Sequence, residues 1–411
     1  MVIIMKLTVK RVLTTAISLL MASSMLSGCG KTNDDGINTN SSTTEAATAA
    51  IEQTFNDISA ADLAKSMTIG WNVGNSLDAV GKGLASETAW GNPKITKELI
   101  DTVKAAGFDT IRIPTTWMGH FDDSYKIDDE WLLRVKEVVD YAISNDMTTI
   151  LNIHHDGNDT DSSWLTPVPK DEEAMVNQFT VLWEQIGAYF ADYNEKLIFA
   201  GMNEFHKGYN NPTDEYLRIT DRLNQVFVDT VRKTGGNNDK RILICPAYNT
   251  NANASLQMTM PTDTAKDKLM MEFHFYDPWD FAGTGKGDWG VNGKNKANWG
   301  QEQWVDEIFG KIKINFVDKG IPVVIGEYGA INNQESANED FRRYYIEYVT
   351  KAARNNGIVP IWWDNGYDGT NGEAFALFNR TSYEILHQDI HDALMRAKNG
   401  GDYEITLPEH K

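Results

Sequence analysis

The sequence predicts an α/β fold, a closed (β/α)8 barrel in a single domain over residues 55–398. Three observations point there. Short apolar runs ending in polar residues alternate with longer segments of helical period. The order is strand then helix throughout, which argues a parallel sheet. Eight such units follow one another without a linker, which favours closure into a barrel over an open sheet.

The expected strands are residues 68–75, 109–114, 148–155, 197–203, 241–246, 269–276, 322–327 and 358–363. Each is rich in Val, Ile, Leu or aromatic residues and turns polar at its C-terminal end. Between them lie amphipathic segments. Residues 95–106 carry Ile95, Leu99, Val103 and Ala106 at helical spacing, and 131–144 repeat the pattern with Leu132, Val135, Val139 and Ile143. The same period predicts helices over 174–193, 216–233, 303–319, 341–355 and 383–398. No strand–GxGxxG–helix fingerprint is present, which disfavours a nucleotide-binding open sheet.

Composition narrows the function. The 411 residues are 41% hydrophobic and 23% charged, as in a folded soluble enzyme. With 38 basic against 58 acidic residues the net charge is -20, and no nucleic-acid partner is expected, because phosphate contacts need clustered Lys and Arg. Two cysteines make no disulfide framework, and Cys245, in the apolar run Ile242-Leu243-Ile244, reads as a small buried hydrophobe. The 12 Trp are a high count and hint at sugar rings packing on indole faces.

The first 28 residues read as an export signal. Lys6, Lys10 and Arg11 precede an apolar run too short for a membrane span. The run ends in Leu26-Ser27-Gly28-Cys29, which looks like a bacterial lipobox and implies cleavage before Cys29 with lipid on its thiol. Residues 29–54, poor in large apolar side chains, are expected to form a flexible tether, and 399–411 a C-terminal tail. The expected location is the cell surface or envelope, the membrane being touched only through that lipid.

The strand ends carry the chemistry. Strand two ends near Arg112, strand three in Asn152-Ile153-His154-His155, strand four in Asn203-Glu204, strand six in His274-Phe275-Tyr276, strand seven in Glu327 and strand eight in Trp362-Trp363-Asp364. In a barrel of this kind the site lies at that rim. Glu204 and Glu327 offer two carboxyl groups across the barrel, which is what glycoside hydrolysis needs, and a separation of roughly 5–5.5 Å would make the reaction retaining. Arg112 and Tyr276 are expected to hold one carboxylate ionised, with burial and the charged partner raising the pKa of the other. A metal site at His154-His155 is disfavoured, since adjacent strand residues point to opposite faces and no HExxH or CxxC supplies further ligands. A serine hydrolase is disfavoured by the lack of a Gly-x-Ser-x-Gly elbow.

The ordered motifs also resemble a known family. Gly70-Trp71-Asn72-Val73-Gly74-Asn75-Ser76-Leu77-Asp78 and Glu87-Thr88-Ala89-Trp90-Gly91-Asn92-Pro93 resemble the opening of bacterial glycoside hydrolase family 5. The subfamily resembled is the endoglucanases with broad β-glucan, xyloglucan and xylan activities. The match continues through the strand ends above, Ile325-Gly326-Glu327 and Trp362-Trp363-Asp364-Asn365-Gly366, and spans residues 55–398. The resemblance implies Glu204 as acid/base, Glu327 as nucleophile and Asn203 on the sugar 2-hydroxyl. It implies Arg112 and Tyr276 as supports of the nucleophile, and His154 and His274 as active-site histidines. It also implies His155 near the glycone sugar and Trp363 under the reactive sugar, with Trp362 as the fallback.

The expected function is a retaining endo-β-1,4-glucanase acting on a β-linked polysaccharide, monomeric, with no cofactor and no metal. A xyloglucanase, lichenase, xylanase or mannanase on the same scaffold is the alternative within enzymes. A non-catalytic glycan-binding lipoprotein is the alternative outside them. Trp279, Trp289 and Trp299, in the long loop after strand six, serve either as outer subsites or as a loop-anchoring mini-core.

Overall fold

The computed structural model describes residues 54–409 except 158–162, 209–210, 333–335 and 370–371. The expected signal peptide, Cys29 and nearly all of the tether lie outside the described residues.

Eight parallel strands close into a barrel in sequence order. They are β1 (Gly70–Asn72), β2 (Thr110–Ile113), β3 (Thr148–Asn152), β4 (Leu197–Ala200), β5 (Leu243–Asn251), β6 (Leu269–Phe275), β7 (Val323–Tyr328) and β8 (Ile358–Trp362). The helices, in chain order, are α1 (Ala60–Ser66), α2 (Lys97–Ala105), α3 (Asp129–Ser144), α4 (Glu172–Tyr189), α5 (Asp214–Lys233), α6 (Ala252–Ser255), α7 (Trp279–Ala282), α8 (Glu302–Asn315), α9 (Ser336–Asn355) and α10 (Gln388–Ala397). All eight expected strands and seven expected helices are present. Most strands are shorter than the apolar runs suggest, because the last residues of each run leave the ladder to line the rim. Several helices begin two residues earlier than the apolar period indicates. Their first residues are acidic, such as Asp129, Glu172, Glu173, Asp214 and Glu215. Acidic groups suit a helix N-terminus but carry no apolar signal. The last helix starts later than expected, since Tyr383 sits at φ 64° and cannot be helical.

Alternation along the strands sorts the side chains into two cores. Odd-numbered residues such as Leu197, Phe199, Leu243, Cys245, Met271, Phe273, Val323 and Ile325 face the surrounding helices in one large apolar cluster. Even-numbered residues point inward on β3 to β7. Ile150, Ile198, Ile244, Met270 and Val324, joined by Val359 and Ile361 of β8, fill the lower barrel, with Leu63 and Met67 closing it from α1. Further up, the inward positions turn polar: Asn72, Arg112, Glu272 and His274, all buried. A barrel interior cannot hold such charges unless they pair, which is what the upper layer does.

One irregularity aims the site. Along β6 and β7 the pairs run Glu272 with Val324 and Phe273 with Ile325, then jump to His274 with Glu327. The β7–β8 ladder skips at the same place. Gly326 is therefore the extra residue of a β-bulge, and the bulge turns Glu327 inward where strict alternation would face it outward. Glycine is required there, because a Cβ would lie 1.9 Å from the Glu272 Oε1 carboxylate oxygen. Gly326→Ala is expected to destabilise the fold by about 1–3 kcal/mol, as overpacking does. It is also expected to cut activity, checked by denaturant unfolding alongside a turnover assay.

Candidate active site

Arg112 is the hub of the rim. It is fully buried on β2, with its two terminal nitrogens facing four side-chain oxygens. Its Nη1 donates to Asn72 Oδ1 at 3.1 Å and to Glu327 Oε1 at 2.8 Å. Its Nη2 donates to Asn203 Oδ1 at 2.7 Å and pairs with Glu272 Oε1 at 3.2 Å. Arg112 thus pairs with a buried carboxylate and also holds a rim carboxylate. Because guanidinium only donates, the Asn203 oxygen must face it, which leaves the Asn203 amide nitrogen to donate toward a bound ligand.

The structure brings Glu204 and Glu327 together. One oxygen of each, with a ring nitrogen of His274, lies within 4.8 Å of the others. Their surroundings differ. The Glu327 side chain is 7% exposed, held by Arg112 on one oxygen and by the Tyr276 hydroxyl, donating at 3.1 Å, on the other. Burial and the Glu327 charge keep the Tyr276 phenol protonated and so a donor. The Glu204 side chain is 28% exposed and pairs with His274 Nδ1 at 2.8 Å. His274 Nε2 faces Glu272 Oε1 at 3.4 Å. Against its burial, the Glu327 charge and the Glu204 and Glu272 carboxylates at its two ring nitrogens raise His274 to about 9, so it is an imidazolium at neutral pH.

That charge alters the protonation expected from sequence. Burial raises Glu204, but the His274 hydrogen bond and charge hold it below the usual carboxylate range. Burial pushes Glu327 up, only partly opposed by His274 and Arg112, and the Glu204 charge adds to the rise. In the free site His274 holds a proton at neutral pH, its Nδ1 lying 2.8 Å from Glu204 Oε1 and 3.6 Å from Glu327 Oε2. The two carboxylates remain distinct in kind. Glu327 is bound to a cation that never loses its proton, whereas the partner of Glu204 can give one up.

His154 and His155 correct an expectation. They lie beyond the end of β3, not on it, and the strand rule that sent them to opposite faces does not apply. Their rings meet edge-on at 4.4 Å. Asn152 gives its oxygen to the Thr115 N–H, so its amide nitrogen faces His154 Nδ1 at 3.1 Å. His154 is therefore an Nε2–H tautomer, kept neutral by burial and by the charges of His155 and Arg112, and its Nε2 lies 3.9 Å from Glu327 Oε1. Asp78, His154 and His155 also bring ligating atoms within 4.8 Å of one another. Yet the Asp78 oxygens already accept from the backbone N–H groups of Asn75 and Ser76, and His154 Nδ1 is engaged by Asn152.

The ring of Trp363 lies parallel to that of His154, at 6.0 Å, and packs with Tyr276, Ile331 and Phe375. Trp362 points the other way, into the helix-facing core, and donates to the Phe375 carbonyl. Asp364 is not a rim group. It is buried, accepting from Trp71 Nε1 and pairing with Arg380. Trp289 is a loop anchor, fully buried and donating to the Gly300 carbonyl at 2.7 Å, while Trp279 and Trp299 stay about half exposed.

Glu272 and Asn72 were missed by sequence reasoning. A signal existed for both. Glu272 has the same parity as His274 and Tyr276 on its strand, and Asn72 follows an apolar pair on the first strand. An inward charge below two rim groups marks a support layer.

Comparison with known proteins agrees with this arrangement. The family model described as cellulase (glycosyl hydrolase family 5) matches residues 77–369. The chain belongs to that family. It is 40% identical over 372 residues to endoglucanase A of Paenibacillus barcinonensis, covering 85% of this chain and 92% of the relative. It superposes with a TM-score of 0.79 on a family 5 xyloglucanase from Paenibacillus pabuli in complex with ligand, at 40% identity, covering 82% of this chain and 99% of the other. A broad-specificity endoglucanase from Bacteroides salanitronis gives a TM-score of 0.78 at 40% identity, covering 84% and 96%. Family 5 enzymes are retaining glycosidases, and the close carboxyl pair fits that geometry.

The His274 shift has a consequence for stability. Its folded pKa of about 9 lies above the ordinary 6.5, so its contribution is full below pH 6.5 and is lost as pH rises toward 9. At about 1.4 kcal/mol per pKa unit the loss is on the order of 3 kcal/mol. Unfolding free energy measured from pH 6 to 9.5 should fall more steeply for the wild type than for His274→Asn, and equal slopes would refute the assignment.

Proposed function

We propose that the chain is a retaining endo-β-1,4-glucanase in which Glu327 is the nucleophile and Glu204 the acid/base. The single observation that carries these roles is the close Glu204–Glu327 pair with Glu327 alone pinned by Arg112 and Tyr276. A nucleophile must react as its anion, and the permanent guanidinium opposes the rise that burial imposes on Glu327. An acid/base must gain and lose a proton, which an imidazolium neighbour permits.

In the first step a Glu327 oxygen bonds to the anomeric carbon. Glu204, supplied with a proton by His274, gives it to the departing glycosidic oxygen. In the second step Glu204 takes a proton from water, whose oxygen displaces Glu327 from the anomeric carbon, and hands that proton back to His274. The free Asn203 amide donates to the sugar 2-hydroxyl, a contact that tightens in the transition state. His154, neutral and close to Glu327, donates to the same sugar, and Trp363 offers its ring face beneath it. His155 is placed for the next glycone unit.

The substrate reading is a cellulose-like or mixed-linkage β-glucan, with xyloglucan within reach. It is supported by relatives described as endoglucanases, as a xyloglucanase and as broad in specificity. The Leu26-Ser27-Gly28-Cys29 sequence supports export and lipid anchoring at the cell envelope.

Two experiments test these readings. Glu204→Gln should lower hydrolysis of unactivated glucan by about 10²–10⁴-fold, the usual worth of general acid catalysis. It should spare the first step on an aryl glycoside with a good leaving group, and an undiminished rate on polymer would overturn the role. A 2-fluoro glycoside should label Glu327, read by peptide mass. Cys29→Ser, expressed in a bacterium with lipoprotein export, should move the activity from the membrane pellet to the soluble fraction.

A further inference from the structure

Beside the bond-breaking centre, the loops after β1 and β8 enclose a hollow of about 450 Å³. Asn75, Trp90, Asn92, Asn365, Tyr367 and Glu373 line it. Its floor is built rather than incidental. Asn92 Nδ2 donates to the carbonyls of Asn75 and Asn365, both at 2.9 Å, and so ties one loop to the other. Gly366, at φ 74°, lets them close, since a Cβ there would meet Asn92 Oδ1 at 2.1 Å. Asn365 in turn accepts from the Tyr367 N–H at 3.1 Å and donates to the Glu373 carbonyl at 2.6 Å.

Two aromatic side chains are partly exposed on this floor, Trp90 at 43% and Tyr367 at 42%. Between exposed rings and fixed amides, the one charged group of the lining is the Glu373 carboxylate. Among the described residues no side chain or backbone N–H donates to it and no cation pairs with it, although its backbone is pinned. Its charge is also felt by the catalytic centre, where Glu204 and Glu327 add to the effect of burial in raising it. An unpaired carboxylate beside ring faces accepts hydroxyl groups well and repels another anion.

Position assigns the side of the cut. β8 neighbours β7, which carries Glu327, and lies opposite β4, after which Glu204 follows. The leaving group departs on the Glu204 side, so the hollow is on the glycone side. The Trp90 ring lies 5.3 Å from that of His155.

We propose that this hollow is a charge-selective glycone subsite. In it Trp90 and Tyr367 stack a neutral hexose or pentose unit, and Glu373 accepts its hydroxyls and rejects units bearing a carboxylate. The proposal rests on the glucanase reading and refines its substrate class to neutral β-glucans, plain or sugar-branched, over uronate- or carboxymethyl-substituted ones.

The test compares kcat/KM of the full chain and of Glu373→Gln on xyloglucan and on carboxymethylcellulose. Gln keeps the size and a hydrogen-bonding oxygen but removes the charge. The ratio of carboxymethylated to neutral substrate should rise about tenfold, equivalent to one 1.4 kcal/mol step, and an unchanged ratio would overturn the proposal. Trp90→Ala should weaken cello-oligosaccharide binding, and undiminished binding would remove the stacking role. Calorimetry on Glu327→Ala, with and without Glu373→Gln, repeats the comparison with cellohexaose and its carboxymethylated form. If the wild type cuts no polymer, the glucanase reading falls, while the binding ratio still decides the subsite.

Discussion

The Arg112 guanidinium is the constraint on which the upper barrel depends. Charged groups in a barrel interior are tolerable only in pairs, and Arg112 satisfies four acceptors from four other strands or their ends: Asn72, Asn203, Glu272 and Glu327. Removing one partner of such a buried pair typically costs about 3–5 kcal/mol, because the remaining charge is stranded. The network therefore sets a permanent cation against the rise that burial imposes on Glu327, orients Asn203 and ties strands one, two, four, six and seven together at their carboxyl ends. Stability and chemistry share these atoms.

A second layer of carboxylate lies underneath. Glu272 touches no reacting position, yet it joins Arg112 to His274 and adds to the effect of Glu327 and Glu204 in keeping His274 protonated. The proton inventory of the site follows from this layer. Three carboxylates face two cations, so one negative charge remains, and the carboxyl pair titrates as a unit with His274. The Gly326 bulge belongs to the same arrangement. It makes room for Glu272 and, by adding one residue to β7, turns Glu327 toward Arg112.

The outer rim is held differently, by amides and one further ion pair. Asp364 gathers Trp71 Nε1, Arg380 and the N–H groups of Gly366, Leu377 and Phe378, and the Arg380 guanidinium lies over the Trp71 ring at 4.9 Å. Asn92 and Asn365 tie the first and last loops, closing the seam where chain start and chain end meet in the barrel. The exposed Trp90, Tyr367, Trp279 and Trp299 stand on this rim and its neighbouring loop.

The sequence by itself determined the barrel, because strand and helix periods are local and eight β-then-α units admit few closed topologies. It also determined which groups reach the rim, since polar residues at the ends of buried strands have nowhere else to go. The inward column Met270, Glu272, His274, Tyr276 was legible in principle by parity alone. Tertiary structure decided the rest. The facing of Glu327 depends on a bulge that breaks parity. The placement of His154 and His155 on one side depends on where β3 ends. The proton on His274 depends on carboxylates brought from three separate positions in the chain. Each of these is a sum over partners distant in sequence, and electrostatic energy depends on distances that only closure of the barrel sets.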